Sequence, residues 1–305
     1  MPRFTAMKQP KALARLTSLD QRLSGWVIGV MRMVVGVLWL ANLEWKRPAD
    51  FGFDAKNGLY KYVDSAVRLP VWKPYAWFVE NVVMKQYRFF GWVTLLTEMS
   101  LAALLIIGFK TRWVALVGAG MSISIALSVL NYDKSYEWPW SYYLMFAIHL
   151  LLWAVAAGRH LGVDGALEHG RTGATRTWIA VGALAVVAGA VGWLVARDGD
   201  FFAEQGQRVA WKYETNVLWF NQFSALLTLL LGVLLIVGAV SKIRALVLIP
   251  GVVSALLVLQ VLTQWRYNRG QWTGGFTGAT GATAGLWLAI AVAVLTTFRR
   301  AERAD

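Results

Sequence analysis

The chain has no cysteine, so it carries no disulfide framework, no thiol–disulfide chemistry and no thiolate site for zinc or an iron–sulfur cluster. Histidine is almost as scarce. His149, His160 and His169 are the only three, too few and too scattered for a histidine-rich metal centre, and no metal is expected. Charge is thin as well: 15% of the 305 residues, against roughly 25% in ordinary globular proteins. That excludes a soluble globule. Apolar residues fill the difference, at 57% of the chain, with a mean hydropathy of +0.49. The formal charge of +13 would suit nucleic acid, but no basic, soluble, aromatic-studded domain carries it, and no nucleic-acid partner is expected. The composition is that of an all-α polytopic membrane protein.

Apolar stretches near the length that crosses a bilayer, about 20 residues, recur along the whole chain. They are Trp26–Leu43, Trp92–Ile107, Trp113–Leu130, Trp140–Ala157, Trp178–Val195, Trp219–Val240, Ala245–Trp265 and Gly275–Phe298. Six of these eight open with Trp and a seventh ends with one, the position an amphipathic ring prefers at the headgroup boundary. The second span is short and holds Thr94, Thr97, Glu98 and Ser100, so it is expected to be shielded from lipid. Backbone in hydrocarbon must satisfy itself, so each span reads as a helix. No cleavable signal peptide is visible, because the first apolar run follows a basic segment of some length and has no small-residue cleavage site.

Lys and Arg set the orientation. With the N-terminus inside, the inner segments hold fifteen and the short outer loops six: Lys134, Arg197, Arg208, Lys212, Arg266 and Arg269. The long outer segment from Glu44 to Arg88 holds eight more, but long translocated stretches count little. Both termini are therefore expected to be cytoplasmic, in a bacterial-type inner membrane. The positive charge reads as topological, with some attraction to anionic lipid. Before the first span, Leu13, Leu16, Leu19 and Leu23 fall near one face, with Lys11, Arg15 and Arg22 elsewhere. This pattern predicts a basic interfacial helix within 1–25, lying on the inner leaflet.

The chain repeats itself loosely. Leu95-Leu96-Thr97 leads to Gly108 and then Lys110-Thr111-Arg112, while Leu226-Leu227-Thr228 leads to Gly238 and then Lys242-Ile243-Arg244. Asp50-Phe51 likewise has an echo in Asp200-Phe201. Four spans per unit put both copies in one orientation, a parallel repeat, with units at 26–170 and 171–305. On these offsets Arg32, Glu98 and His149 face Gly182, a residue within Thr228–Leu230, and Gly281. Only the first unit keeps ionisable residues inside its spans. Rise per residue places all three at comparable depths, and an unpaired ion there costs at least ~2.5–3.5 kcal/mol. An Arg32–Glu98 ion pair is the expectation, either a structural bridge that sets helix register or a ligand or proton site, with His149, a packing residue or a catalyst, beside it in a buried polar cluster that is the candidate catalytic site. A haem would need a further axial ligand within the membrane, and none is available. Carboxylate with imidazole suits a proton path to a quinone headgroup.

The first unit resembles the DoxX/DoxD family, which includes the membrane subunit of thiosulfate:quinone oxidoreductases. The pieces are Arg32 with Gly36 and Lys46, then Glu98 leading to Gly108 and Thr111-Arg112, then Gly158-Arg159-His160-Leu161-Gly162-Val163-Asp164. The resemblance runs from about Arg32 to Leu167. It implies a four-helix membrane unit tied to quinone-linked or sulfur-related redox systems, with no intrinsic cofactor and a quinone as the group it would meet. Trp45, Lys46 and Trp138 are the candidate contacts to a quinone or lipid. The long outer insertion at 44–90 and the second four-span unit depart from the family.

Thirteen aromatics fall from Glu44 to Trp92, on and just beyond that insertion. Asn57 precedes an amphipathic run closed by Pro70, and Pro74 opens a second helix leading into the membrane. These helices read as interfacial, or as a cap over a cleft or a docking surface for another membrane subunit. The loop Arg197–Asn221, with Phe201, Phe202, Trp211, Tyr213 and Trp219, is placed on the same side. Gly274, Gly275, Gly278, Gly281 and Gly285 open the last span, a small-residue surface for close packing rather than a phosphate cradle. Three functions are expected in descending order. The first is a membrane subunit of a quinone-linked redox or respiratory complex, an enzyme only together with a partner. A non-catalytic assembly subunit of a larger complex comes second and a transporter last. Membrane lipids and a membrane-protein partner are expected throughout.

Overall fold

The computed structural model describes residues 11–43, 46, 48–132, 140–202, 207–210, 216–266 and 278–302. In chain order the elements are α1 Lys11–Asn42, α2 Gly58–Arg68, α3 Lys73–Phe78, α4 Tyr87–Ile107, α5 Thr111–Val129, α6 Trp140–Ala154, α7 Val163–Glu168 and α8 Gly170–Ala196. They continue as β1 Gln207–Ala210, β2 Asn216–Phe220, α9 Gln222–Ser241, α10 Arg244–Arg266 and α11 Gly278–Glu302. Among the described residues seven helical segments are long and apolar enough to span a bilayer, and Ser141–Ala154 of α6 is a shorter apolar helix. The chain is a multi-pass helical membrane protein.

Three local readings change. The basic N-terminal segment is not a separate surface helix, because α1 runs unbroken for 32 residues from Lys11 into the first span. No proline interrupts it, and Gly25 and Gly29 pack against His160 and Leu161 rather than opening a bend. The second span is longer than its hydropathy shows. One helical rod, with a π-turn and a 3₁₀ turn between α3 and α4, covers Lys73–Ile107, since Glu80, Lys85 and Arg88 weaken apolarity without breaking a helix. The loop after α8 holds a two-stranded antiparallel ribbon, β1 with β2, a small addition to an otherwise helical fold.

We call the end of the bundle where α1 begins the near face and the other the far face. On the near face α4 stops at Gly108, which takes the left-handed conformation (φ 67°) and returns its N–H to the carbonyls of Leu104 and Leu105, a glycine-dependent C-cap. On the far face α9 starts from Asn221 in a capping box. Asn221 Oδ1 accepts from the Ser224 amide at 2.8 Å, and Ser224 Oγ accepts from the Asn221 amide at 3.1 Å. The insertion helix α2 packs on α5, where Ser65 Oγ donates to the Ser128 carbonyl. Tyr75 at the start of the second span donates to the Ser124 carbonyl at 3.2 Å.

Close crossings carry the packing, as they must where lipid removes the hydrophobic drive between helices. A methyl group on Gly36 of α1 would lie 2.8 Å from Ile106 N and 3.0 Å from Ala102 O of α4. One on Gly182 of α8 would lie 2.9 Å from Gly232 O and 2.7 Å from Ile236 Cγ1 of α9. The glycine-rich α11 is the most buried of the seven spans. It touches α10, α8 and α4, and Gly285 packs against Leu40 and Met99 of the first four spans. Small residues there let one helix serve two neighbours.

Candidate functional site

The expected Arg32–Glu98 ion pair does not form. Both side chains are buried, at 0% and 1% exposure, but they belong to different centres. Arg32 lies level with Ile106, whose carbonyl it binds, and Glu98 is eight residues further along α4, about 12 Å at the rise of a helix. A guanidinium does not cover that distance while bound elsewhere.

Arg32 instead ties the near face together. Its Nη1 donates to the carbonyls of Ala157 (3.3 Å) and His160 (3.2 Å), and its Nη2 to those of Ile106 (3.4 Å) and Leu161 (2.9 Å). These carbonyls end α4 and the turn after α6, where helix dipoles concentrate negative charge. Asp164 does the converse at the start of α5. Its carboxylate accepts from the amides of Lys110 (2.7 Å) and Thr111 (3.0 Å), and its own amide donates to Gly108 O at 2.9 Å. A methyl on Gly108 or Gly162 would strike the Arg32 guanidinium, and one on Gly158 would strike Asp164 and Thr111. In the run Gly158…Asp164, Gly162 makes room for the buried arginine and Gly158 for the aspartate that caps α5.

Glu98 pairs with Lys46 in the far half. Nζ of Lys46 lies 2.6 Å from Oε2 of Glu98, with each side chain 1% exposed. The same ammonium donates to the Asn42 carbonyl at 2.8 Å, and Asn42 Nδ2 donates to Glu98 Oε1 at 3.2 Å. Glu98 projects from the buried face of α4 that also carries Leu95, Ala102 and Leu105. The sequence marks Lys46 as a quinone or lipid contact just past the span, and the structure buries its side chain at 1% exposure.

His149 joins neither centre. Trp39 Nε1 donates to its Nε2 at 3.0 Å, and its Nδ1 lies 2.7 Å from the Met145 carbonyl. One ring nitrogen accepts and the other donates, which is a neutral imidazole. Gly118 gives the ring room, for a methyl there would overlap it. Trp39 and Asn42 stand one turn apart on α1, so His149 and Glu98 are bound to neighbouring turns of one helix. Trp45 and Trp138 lie outside the described residues. The polar site is therefore Lys46, Glu98 and Asn42, with Trp39–His149 one turn away. Asn42 and Trp39 were not singled out from sequence. For Asn42 the signal was its i, i+4 spacing with Lys46 at a span's end.

Residues 27–184 match the family described as TQO small subunit DoxD, more than half of the 305 residues. The chain belongs to the DoxD family. No curated protein and no solved structure gives a significant match. The DoxD match begins at Val27 within α1, runs through α7 with both buried charge centres, and ends within α8 just beyond Gly182. Every piece of this DoxD chain that carried the resemblance falls on one of those two centres or on the close crossing at Gly36.

Proposed function

We propose that this DoxD protein is the membrane subunit of a quinone-linked oxidoreductase and that Lys46, Glu98 and Asn42 are its quinone-facing groups. The family description supports the coarse reading, since it is a subunit of TQO, thiosulfate:quinone oxidoreductase. The observation that carries the site is the Lys46–Glu98 pair, almost fully buried and adjoining an amide. Its donor set fits a quinone headgroup: a carbonyl oxygen needs N–H donors, and its reduction needs a nearby carboxyl to pass a proton.

A quinone supplies the two-electron acceptor chemistry. This chain's residues do the rest: Asn42 Nδ2 and Lys46 Nζ orient a carbonyl oxygen, and the Glu98 carboxylate, paired with the Lys46 ammonium, takes up and passes on a proton. Electrons come from a partner protein, since a chain without cysteine builds no thiol or iron–sulfur relay of its own. The basic near face is cytoplasmic on this reading, and the buried pair lies in the outer half of the membrane.

A second reading has its own support. The Lys46–Glu98 pair is closed from solvent and satisfied by its neighbours, as a purely structural bridge would be, in a chain that serves assembly of the complex. The double variant Lys46→Met/Glu98→Leu separates the two. It removes both charges together, so folding is largely kept. The quinone role predicts a folded, assembled protein that no longer co-purifies with quinone and whose native assembly fails to reduce a short-chain quinone. Full quinone-dependent turnover in the folded double variant rejects it and leaves the assembly role.

A further inference from the structure

The near face of the second four-helix group carries a cleft that neither charge centre uses. It is lined by Arg171 at the start of α8, Lys242 in the turn after α9, Arg244 at the start of α10 and Glu302 at the end of α11, over Trp178 and Phe298. Arg171, Lys242 and Arg244 are exposed, while Trp178 is buried. Three cations face one carboxylate, a net +2. We propose that this cleft binds the phosphate of an anionic phospholipid headgroup.

Position argues for lipid rather than a dissolved anion. Helix α8 has 27 residues, about 40 Å, and exceeds a hydrocarbon core of about 30 Å, so a residue in its first turn stands at headgroup level. The cations come from three different elements, which gives a phosphate several donors around one point. Beside the cleft, Ile179, Val240 and Ile243 are exposed apolar side chains, a surface along which acyl chains can lie. Basic pockets between spans at a membrane face are the form such recognition takes.

The two halves differ here in an informative way. Arg32 stands four residues before Gly36, and Trp178 four residues before Gly182, the glycines of the two close crossings. In the first half the chain's own guanidinium fills the space between helix ends. In the second half an indole sits at that level and the space above it is a cationic cleft.

The test uses the full chain in nanodiscs of phosphatidylcholine with and without phosphatidylglycerol. Labelling of Lys242 by an amine-reactive reagent, read by peptide mass spectrometry, is expected to fall severalfold when phosphatidylglycerol is present. Inorganic phosphate at millimolar concentration is expected to give no such protection. Native mass spectra then compare Arg171→Gln/Lys242→Gln/Arg244→Gln with Arg176→Gln/Arg299→Gln/Arg300→Gln, which removes the same charge from the same face. The cleft variant is expected to lose retained phosphatidylglycerol by at least about tenfold, and the control to keep it. Equal labelling in both lipids overturns the proposal, as does equal loss in both variants or protection by free phosphate. The labelling arm uses the unaltered protein and stands even if the triple variant fails to fold.

Discussion

Where α1 crosses α4 and where α8 crosses α9, the backbones approach through a glycine and an isoleucine in the same way, Gly36 on Ile106 and Gly182 on Ile236. The side chains at matching positions are not alike. Eight residues before Ile106 stands Glu98, tied to Lys46; eight before Ile236 stands Thr228, which accepts from Trp287 Nε1 at 3.0 Å. Four before Gly36 is Arg32, and four before Gly182 is Trp178, whose Nε1 donates to Thr297 at 2.8 Å. The second half closes its interior with neutral indole–hydroxyl bonds. The first half spends buried ions at the same levels. Neutral bonds are the less costly way to hold a membrane bundle, so the ions of the first half call for an explanation beyond packing. For Arg32 that explanation is the set of helix-end carbonyls it ties. For Lys46 and Glu98 we find it in function.

The comparison predicts a graded series. Arg32→Met strands carbonyls at two helix ends and is expected to cost about 4 kcal/mol or more, seen as loss of monodisperse protein in size-exclusion chromatography. Arg32→Lys recovers little, because an ammonium lacks the planar fork that reaches separated carbonyls. Lys46→Met leaves a buried carboxylate alone and is expected to cost about 3 kcal/mol, most of it regained in Lys46→Met/Glu98→Leu; thermal melts in detergent measure both. Gly118→Ala drives a methyl into the His149 ring and is expected to cost about 2 kcal/mol in the same melts. The smallest effect belongs to the second half. Thr228→Val leaves the Trp287 N–H without its acceptor, about 1–2 kcal/mol, with quinone-dependent turnover of the assembly unchanged. A Thr228→Val protein that loses turnover would end the assignment of chemistry to the first half alone.

The membrane class, most of the spans and the family were legible from apolar runs, tryptophan positions and short glycine motifs, because each is local in the chain. The pairing of ions was not. Arg32, Glu98 and His149 were grouped by depth alone, and depth does not say that Arg32 has carbonyls within reach, nor that Lys46 turns inward. Three of the carbonyls that Arg32 binds, those of Ala157, His160 and Leu161, lie more than a hundred residues away in sequence and carry no side-chain signal at all. The register between halves failed for a related reason. Aligned on Asp50 and Asp200 in the loops, Arg32 falls opposite Gly182; aligned on the glycine crossings, it falls opposite Trp178. Loops differ in length, whereas a crossing fixes both helices.

The most direct test is a pair of double-mutant cycles read as thermal stability in detergent. One combines Lys46→Met with Glu98→Leu, the other Arg32→Lys with Glu98→Leu. The structure predicts a coupling on the order of 2 kcal/mol for the first and near-additivity, within about 0.5 kcal/mol, for the second. Strong coupling between Arg32 and Glu98 with additive behaviour at Lys46 would contradict it.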